Sequence, residues 1–138
     1  MTQLNPRHAV NVTPPPRLLP VLQKLKMAYR LWHEYHSVLP KTHRYTLGQR
    51  IDNLFIGTIE AAAAASFLKR EEKRPYVQAA IRKTDTLKIL LMILWETNSL
   101  DDKKYIALSE KVDEVGRMLG GWIGQLSKNS PQSLWREK

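Results

Sequence analysis

EVGRMLGGWIGQL, residues 114 to 126, is the segment on which the reading of the chain turns. Val115, Leu119, Trp122 and Leu126 recur at steps of three and four, which is the spacing of one helix face. The same segment holds four glycines, and each costs a helix roughly 1 kcal/mol relative to alanine. Gly116, Gly120 and Gly124 follow every four residues, with Gly121 beside them, so they form a strip without side chains. Such a strip lets another backbone approach closely, as small residues do between packed helices. The spacing leaves open whether that neighbour lies within the subunit or across a subunit boundary. Lys111, Asp113, Glu114 and Arg117 interrupt the segment, and no stretch reaches the eighteen or so apolar residues of a membrane span, so no membrane partner is expected.

Working outward, the apolar stripe extends back through Val112, Leu108 and Tyr105, giving a helix up to about Lys128. It opens at SLDD, where Ser99 is placed to cap and Asp102 follows three residues on. The preceding helix begins near KREEKRPY, with Pro75 in its first turn, and runs to about Thr97. Its second half, ILLMILW from Ile89 to Trp95, is apolar all round, which calls for neighbours on both sides and hence for self-association. Another helix spans about Arg44 to Arg70, carrying Leu47, Ile51, Leu54, Phe55 and Ile59, then the slim run Ala61 to Ala65. The first helix, about Leu18 to Ser37, places Leu18, Leu22, Leu25, Tyr29 and Trp32 on one side and stops at Leu39-Pro40. No strand alternation competes with these patterns. The expectation is an all-α fold, an antiparallel four-helix bundle over residues 18–128. A flexible arm containing Pro14-Pro15-Pro16 occupies 1–17, and a flexible tail 129–138.

At 138 residues the chain is expected to form one domain. It has no cysteine, which excludes disulfides, thiolate catalysis and cysteine-bound zinc. Its first residues lack the apolar run of a secretory leader, so a cytoplasmic protein is expected. The net charge of +9 is unevenly spread: residues 1–50 carry eight Lys or Arg against the single acid Glu34. A localised basic field of this kind attracts polyanions, and nucleic acid is the commonest in a cell.

Candidate chemistry is sparse. His33 and His36 in HEYH are three apart, whereas a zincin needs two histidines four apart with glutamate beside the first. No Glu-x-x-His pair of the di-iron bundle type occurs, and GRMLGGWIG lacks the Gly-Lys-Ser/Thr ending of a phosphate loop. Glu60 and Asp85 are explained by ordinary surface pairing. No metal, cofactor or catalytic role is therefore expected. The bases carry more information: Lys41, His43, Arg44 and Arg50 fall within one connection and the turns after it, with Tyr45 and His43 available for base stacking. Lys69, Arg70, Lys73 and Arg74 fall near the next break, and Arg82, Lys83 and Lys88 on the polar face of the third helix. Each alone reads as a solvated surface residue; together they suggest a phosphate-binding surface.

LPKTHRYTLGQRI (39–51) and EVGRMLGGWIGQL closely resemble accessory variability determinant proteins of diversity-generating retroelements. These belong to a four-helix-bundle superfamily that includes proteins encoded in intervening sequences of bacterial large-subunit ribosomal RNA genes. The resemblance covers roughly residues 18 to 128. It implies a small basic bundle, assembled as a homo-pentameric barrel, that binds a reverse transcriptase and RNA or DNA and supports mutagenic retrohoming without catalysis of its own. Arg44, Arg50 and Arg117 lie within the matching motifs, and Lys88 stands where relatives tend to carry a base. The alternative is an intervening-sequence-type bundle that binds RNA or serves a structural role without a polymerase partner.

Overall fold

The computed structural model describes residues 19–128. The expected arm (1–17), its bases Arg7 and Arg17, the helical start at Leu18 and the tail (129–138) lie outside the described residues. Within them the chain is all-helical: α1 (Pro20–Ser37), α2 (Lys41–Arg44), α3 (Leu47–Ser66), α4 (Arg70–Glu96) and α5 (Asp102–Lys128). None of these helices is long and apolar enough to cross a membrane.

Each boundary has a local cause. Pro20 opens α1, where its missing N–H would have had no partner anyway. Asn98 ends α4 with φ of 66°, a left-handed conformation that asparagine tolerates. There the Ser99 N–H donates to Leu94 O at 2.8 Å and the Asn98 N–H to Trp95 O at 3.0 Å, which together close the last turn.

The four long helices run alternately up and down. One core cluster gathers Trp32 from late α1, Ile51 and Phe55 from early α3, Leu91 and Leu94 from late α4, and Leu108 from early α5. A second gathers Val21 and Leu25 from early α1, Ala62 from late α3, Ala80 from early α4 and Leu119 from late α5. These opposed registers require antiparallel neighbours, and each long helix touches two others around the core. Ala62 and Ala65 are fully buried, which bears out the slim face read from the alanine run. Buried Thr58 and Thr84 satisfy their hydroxyls on the carbonyls of Leu54 and Ala80.

The structure corrects three boundary expectations. The helix expected over 44–70 is α3, shorter at both ends (Leu47–Ser66): Arg44 closes the separate short helix α2, and Arg70 opens α4. Helix α4 begins at Arg70, five residues before Pro75, so the proline lies within the second turn. Asp101, not Ser99, caps α5, its Oδ1 accepting from the Lys104 N–H at 2.8 Å. For the glycine strip, whose neighbour the spacing left open, nothing among the described residues lies within 4 Å of an added Cβ at Gly120, Gly121 or Gly124, while at Gly116 the Cβ would meet Lys88 Nζ at 2.8 Å and Thr84 Cγ2 at 3.9 Å.

Close backbone approach occurs instead at Gly48. A Cβ there would stand 2.8 Å from His43 O, 2.9 Å from Leu39 Cδ1 and 3.0 Å from the His36 ring. Two of these neighbours, the backbone carbonyl and the buried leucine, have little room to yield. Gly48→Ala is expected to destabilise the chain by about 1–3 kcal/mol through overpacking. Gly124→Ala, measured at a dilution where the chain is monomeric, should stabilise it by about 0.5–1 kcal/mol. Urea denaturation checks both, and equal effects of the same sign would contradict this packing.

Candidate nucleic-acid and partner interface

The basic residues divide by what they touch. Because α4 runs antiparallel to α3 and α5, its first turns lie beside their C-terminal ends, where carbonyls have no helical partner. Lys73 Nζ donates to Ala65 O at 2.6 Å, Arg70 Nη2 donates to Gln125 O at 2.8 Å, and Arg74 Nη1 reaches Ser127 Oγ. Three bases of KREEKR thus tie helix ends together, a role that also matches the partial negative charge there. Lys24 pairs with Glu114 at 3.2 Å and Lys88 with Asp113 at 3.7 Å. Lys83 lies over Gly57, its Cδ 3.1 Å from where a Cβ would be.

At the opposite end, α2 is pinned from three directions. His36 Nε2 donates to Arg44 O at 2.9 Å, His43 Nδ1 is hydrogen-bonded to Ser99 Oγ at 2.6 Å, and the His43 carbonyl rests on Gly48. Arg44 turns inward, its Nε and Nη2 donating to Leu39 O at 3.0 and 2.8 Å. Beneath α2 lies a polar seam between α1 and α3. The Trp32 indole N–H donates to Asp52 Oδ1 at 3.2 Å, His36 stacks on Trp32, and His36 Nδ1 stands 3.9 Å from the same oxygen. Burial raises the Tyr29 hydroxyl pKa above its usual 10, and Asp52 adds to this by hydrogen bonding and charge. No cluster of three or more potential metal ligands occurs among the described residues.

Of the bases singled out from sequence, Lys41, Arg50, Arg82 and Arg117 are exposed, and none forms an ion pair among the described residues. Lys41, His43, Arg44 and Arg50 come together at the α2 end. Arg82, Lys83 and Lys88 lie on α4 and Arg117 on α5, away from that cluster along the chain. The outer side of α4 exposes Ile89, Met92 and Ile93, while Leu87, Leu91 and Leu94 fill the core. On α5 the steps Arg117, Gly120 and Gly124 share one outward stripe. Gly121 also borders a cleft of about 570 Å³ with Leu19, Val21, Met118 and Trp122.

The family model described as bAvd-like matches residues 20–126, which is nearly the whole helical body. The chain belongs to the bAvd-like family. Both motifs from which accessory variability determinants were recognised fall inside the matched residues, so that resemblance is borne out. No curated protein matches the chain. Two structural features of this bAvd-like chain escaped the sequence reading: the packing role of Gly48 and the carbonyl-capping role of Arg44. The signal for the first was available, since glycine in the opening turn of a helix directly after a proline-started connection is a poor choice unless something lies against it.

Arg44→Ala leaves the Leu39 carbonyl without its two donors and should cost about 1–3 kcal/mol. Arg44→Lys should recover only part of this, because lysine lacks the forked donor geometry. Arg50→Ala should change stability by no more than about 0.5 kcal/mol. A chemical denaturation midpoint that moved as far for Arg50→Ala as for Arg44→Ala would contradict the division.

Proposed function

We propose that the chain is a non-catalytic accessory protein of a diversity-generating retroelement, binding the element's reverse transcriptase together with template RNA or its cDNA. The observation that carries this reading is the bAvd-like family match across 20–126, and Lys41, Arg50, Arg82 and Arg117, exposed and without an ion pair among the described residues, support it. A basic protein of this kind holds polymerase and template together, which raises the local concentration of each for the other. Arg82, Lys83, Lys88 and Arg117 serve the partner surface on α4 and α5.

Self-association, as a pentamer by family resemblance, belongs to the same proposal. Nothing among the described residues lies within 4 Å of a Cβ at three α5 glycines, so no described contact offsets their helix-propensity cost. The exposed Ile89, Met92 and Ile93 add an apolar outer face on the neighbouring helix. A second copy seated on this side would use both features.

Tagged protein purified at low salt from a host expressing the element should recover the reverse transcriptase and a defined RNA. Recovery of mixed RNA alone, with the polymerase shown to be present, would overturn the reading. For assembly, Gly120→Leu should reduce the native mass while leaving the far-ultraviolet helical signal and folded state intact. An unchanged mass distribution would remove the strip from the interface.

A further inference from the structure

Tyr45 is 71% exposed, the most exposed tyrosine among the described residues, although it stands next to the tightly fixed α2. Its position in the two-residue link between α2 and α3 is determined on both sides. Before it, α2 is held by His36, Ser99 and Gly48; after it, the Arg50 N–H donates to Thr46 O at 3.0 Å as α3 begins. The Arg44 guanidinium lies over the ring, 5.8 Å from its centroid. That guanidinium is itself anchored by its two bonds to the carbonyl of buried Leu39. No other ring among the described residues stacks on Tyr45. The result is an aromatic plate carried on a rigid corner, backed by a cation and open to solvent, with Lys41 and Arg50 exposed in the same connection.

An open aromatic face beside unpaired bases suits a nucleotide whose own base face is free. Within a duplex each base is already stacked on both sides, whereas a single strand offers its bases to aromatic side chains with little sequence preference. A guanidinium behind the ring adds a cation–π contribution to the stack. Resting on the nucleic-acid reading above, we propose that Tyr45, backed by Arg44, is a stacking platform for an unpaired base. Lys41 and Arg50 contact the flanking phosphates, so the α2 end takes single-stranded RNA or DNA in preference to duplex.

The test titrates the full chain into fluorescently labelled mixed-sequence oligonucleotides, as single-stranded RNA, single-stranded DNA and the corresponding duplex, over a range of salt. Tyr45→Ala should weaken single-strand binding roughly 5- to 100-fold, as loss of one base–aromatic stack does. Duplex affinity and the salt slope should be unchanged, because no charge is removed, and Tyr45→Phe should restore the affinity. The same ordering is expected for RNA and DNA, since neither stacking nor phosphate contact uses the 2′-hydroxyl. Lys41→Ala with Arg50→Ala should weaken both strand forms and flatten the single-strand slope by roughly 0.7 per lost phosphate contact. Full single-strand affinity in Tyr45→Ala, with weakening in the charge variant, would overturn the platform and leave nucleic-acid binding standing. Wild-type protein that binds none of the three probes at low salt would overturn both.

Discussion

The His43 carbonyl lies 2.8 Å from where a Cβ on residue 48 would stand, and the construction of the basic end follows from that contact. With glycine there, the backbone of α2 rests directly on the first turn of α3. His36 then lies close enough to bond Arg44 O, and His43 close enough to Ser99 to tie α2 to the connection between α4 and α5. A side chain at residue 48 would lift α2 away and loosen these bonds together. The rigidity of the Tyr45 corner is thus a packing effect transmitted through the backbone.

The antiparallel order of the helices explains how a strongly basic chain spends part of its charge on its own architecture. Arg70 and Lys73 stand at the start of a helix, where a cation is unfavourable to that helix's own dipole. They stand equally at the ends of α3 and α5, whose last carbonyls need donors, and the hydrogen bonds formed there decide the balance. Lys24 and Lys88 are matched by acids on α5. Lys41, Arg50, Arg82 and Arg117 have no such partner among the described residues and are exposed, which leaves Lys41 and Arg50 available to a polyanion at the α2 end and Arg82 and Arg117 to a partner on α4 and α5.

The long helices were legible in the sequence because burial imposes a period that the sequence repeats, as with Leu22, Leu25 and Trp32 in α1 or Leu108, Val112, Val115 and Leu119 in α5. The inner half of ILLMILW was equally legible, and its apolar outer half is left exposed by the described residues. What was not legible depended on neighbours distant in sequence. The early start of α4 reflects carbonyls at Ala65 and Gln125, and Ser99 was drawn from capping by His43, 56 residues away. The glycine strip drew attention by its number, while the single Gly48 carries the close contact. Arg44 and Arg50 look alike as letters in one motif; only the fold shows that one is bound to Leu39 and the other faces water.

Two surfaces with different chemistry therefore emerge: a cationic, aromatic corner at α2 and an apolar, side-chain-poor face on α4 and α5. Hydrogen-exchange mass spectrometry of the full chain, with and without single-stranded RNA and at two protein concentrations, tests their separation most directly. The account predicts that RNA slows exchange in peptides covering 39–50 and leaves 114–126 unchanged, while raising protein concentration slows exchange in 114–126. RNA protection centred on 114–126, with 39–50 unaffected, would contradict it.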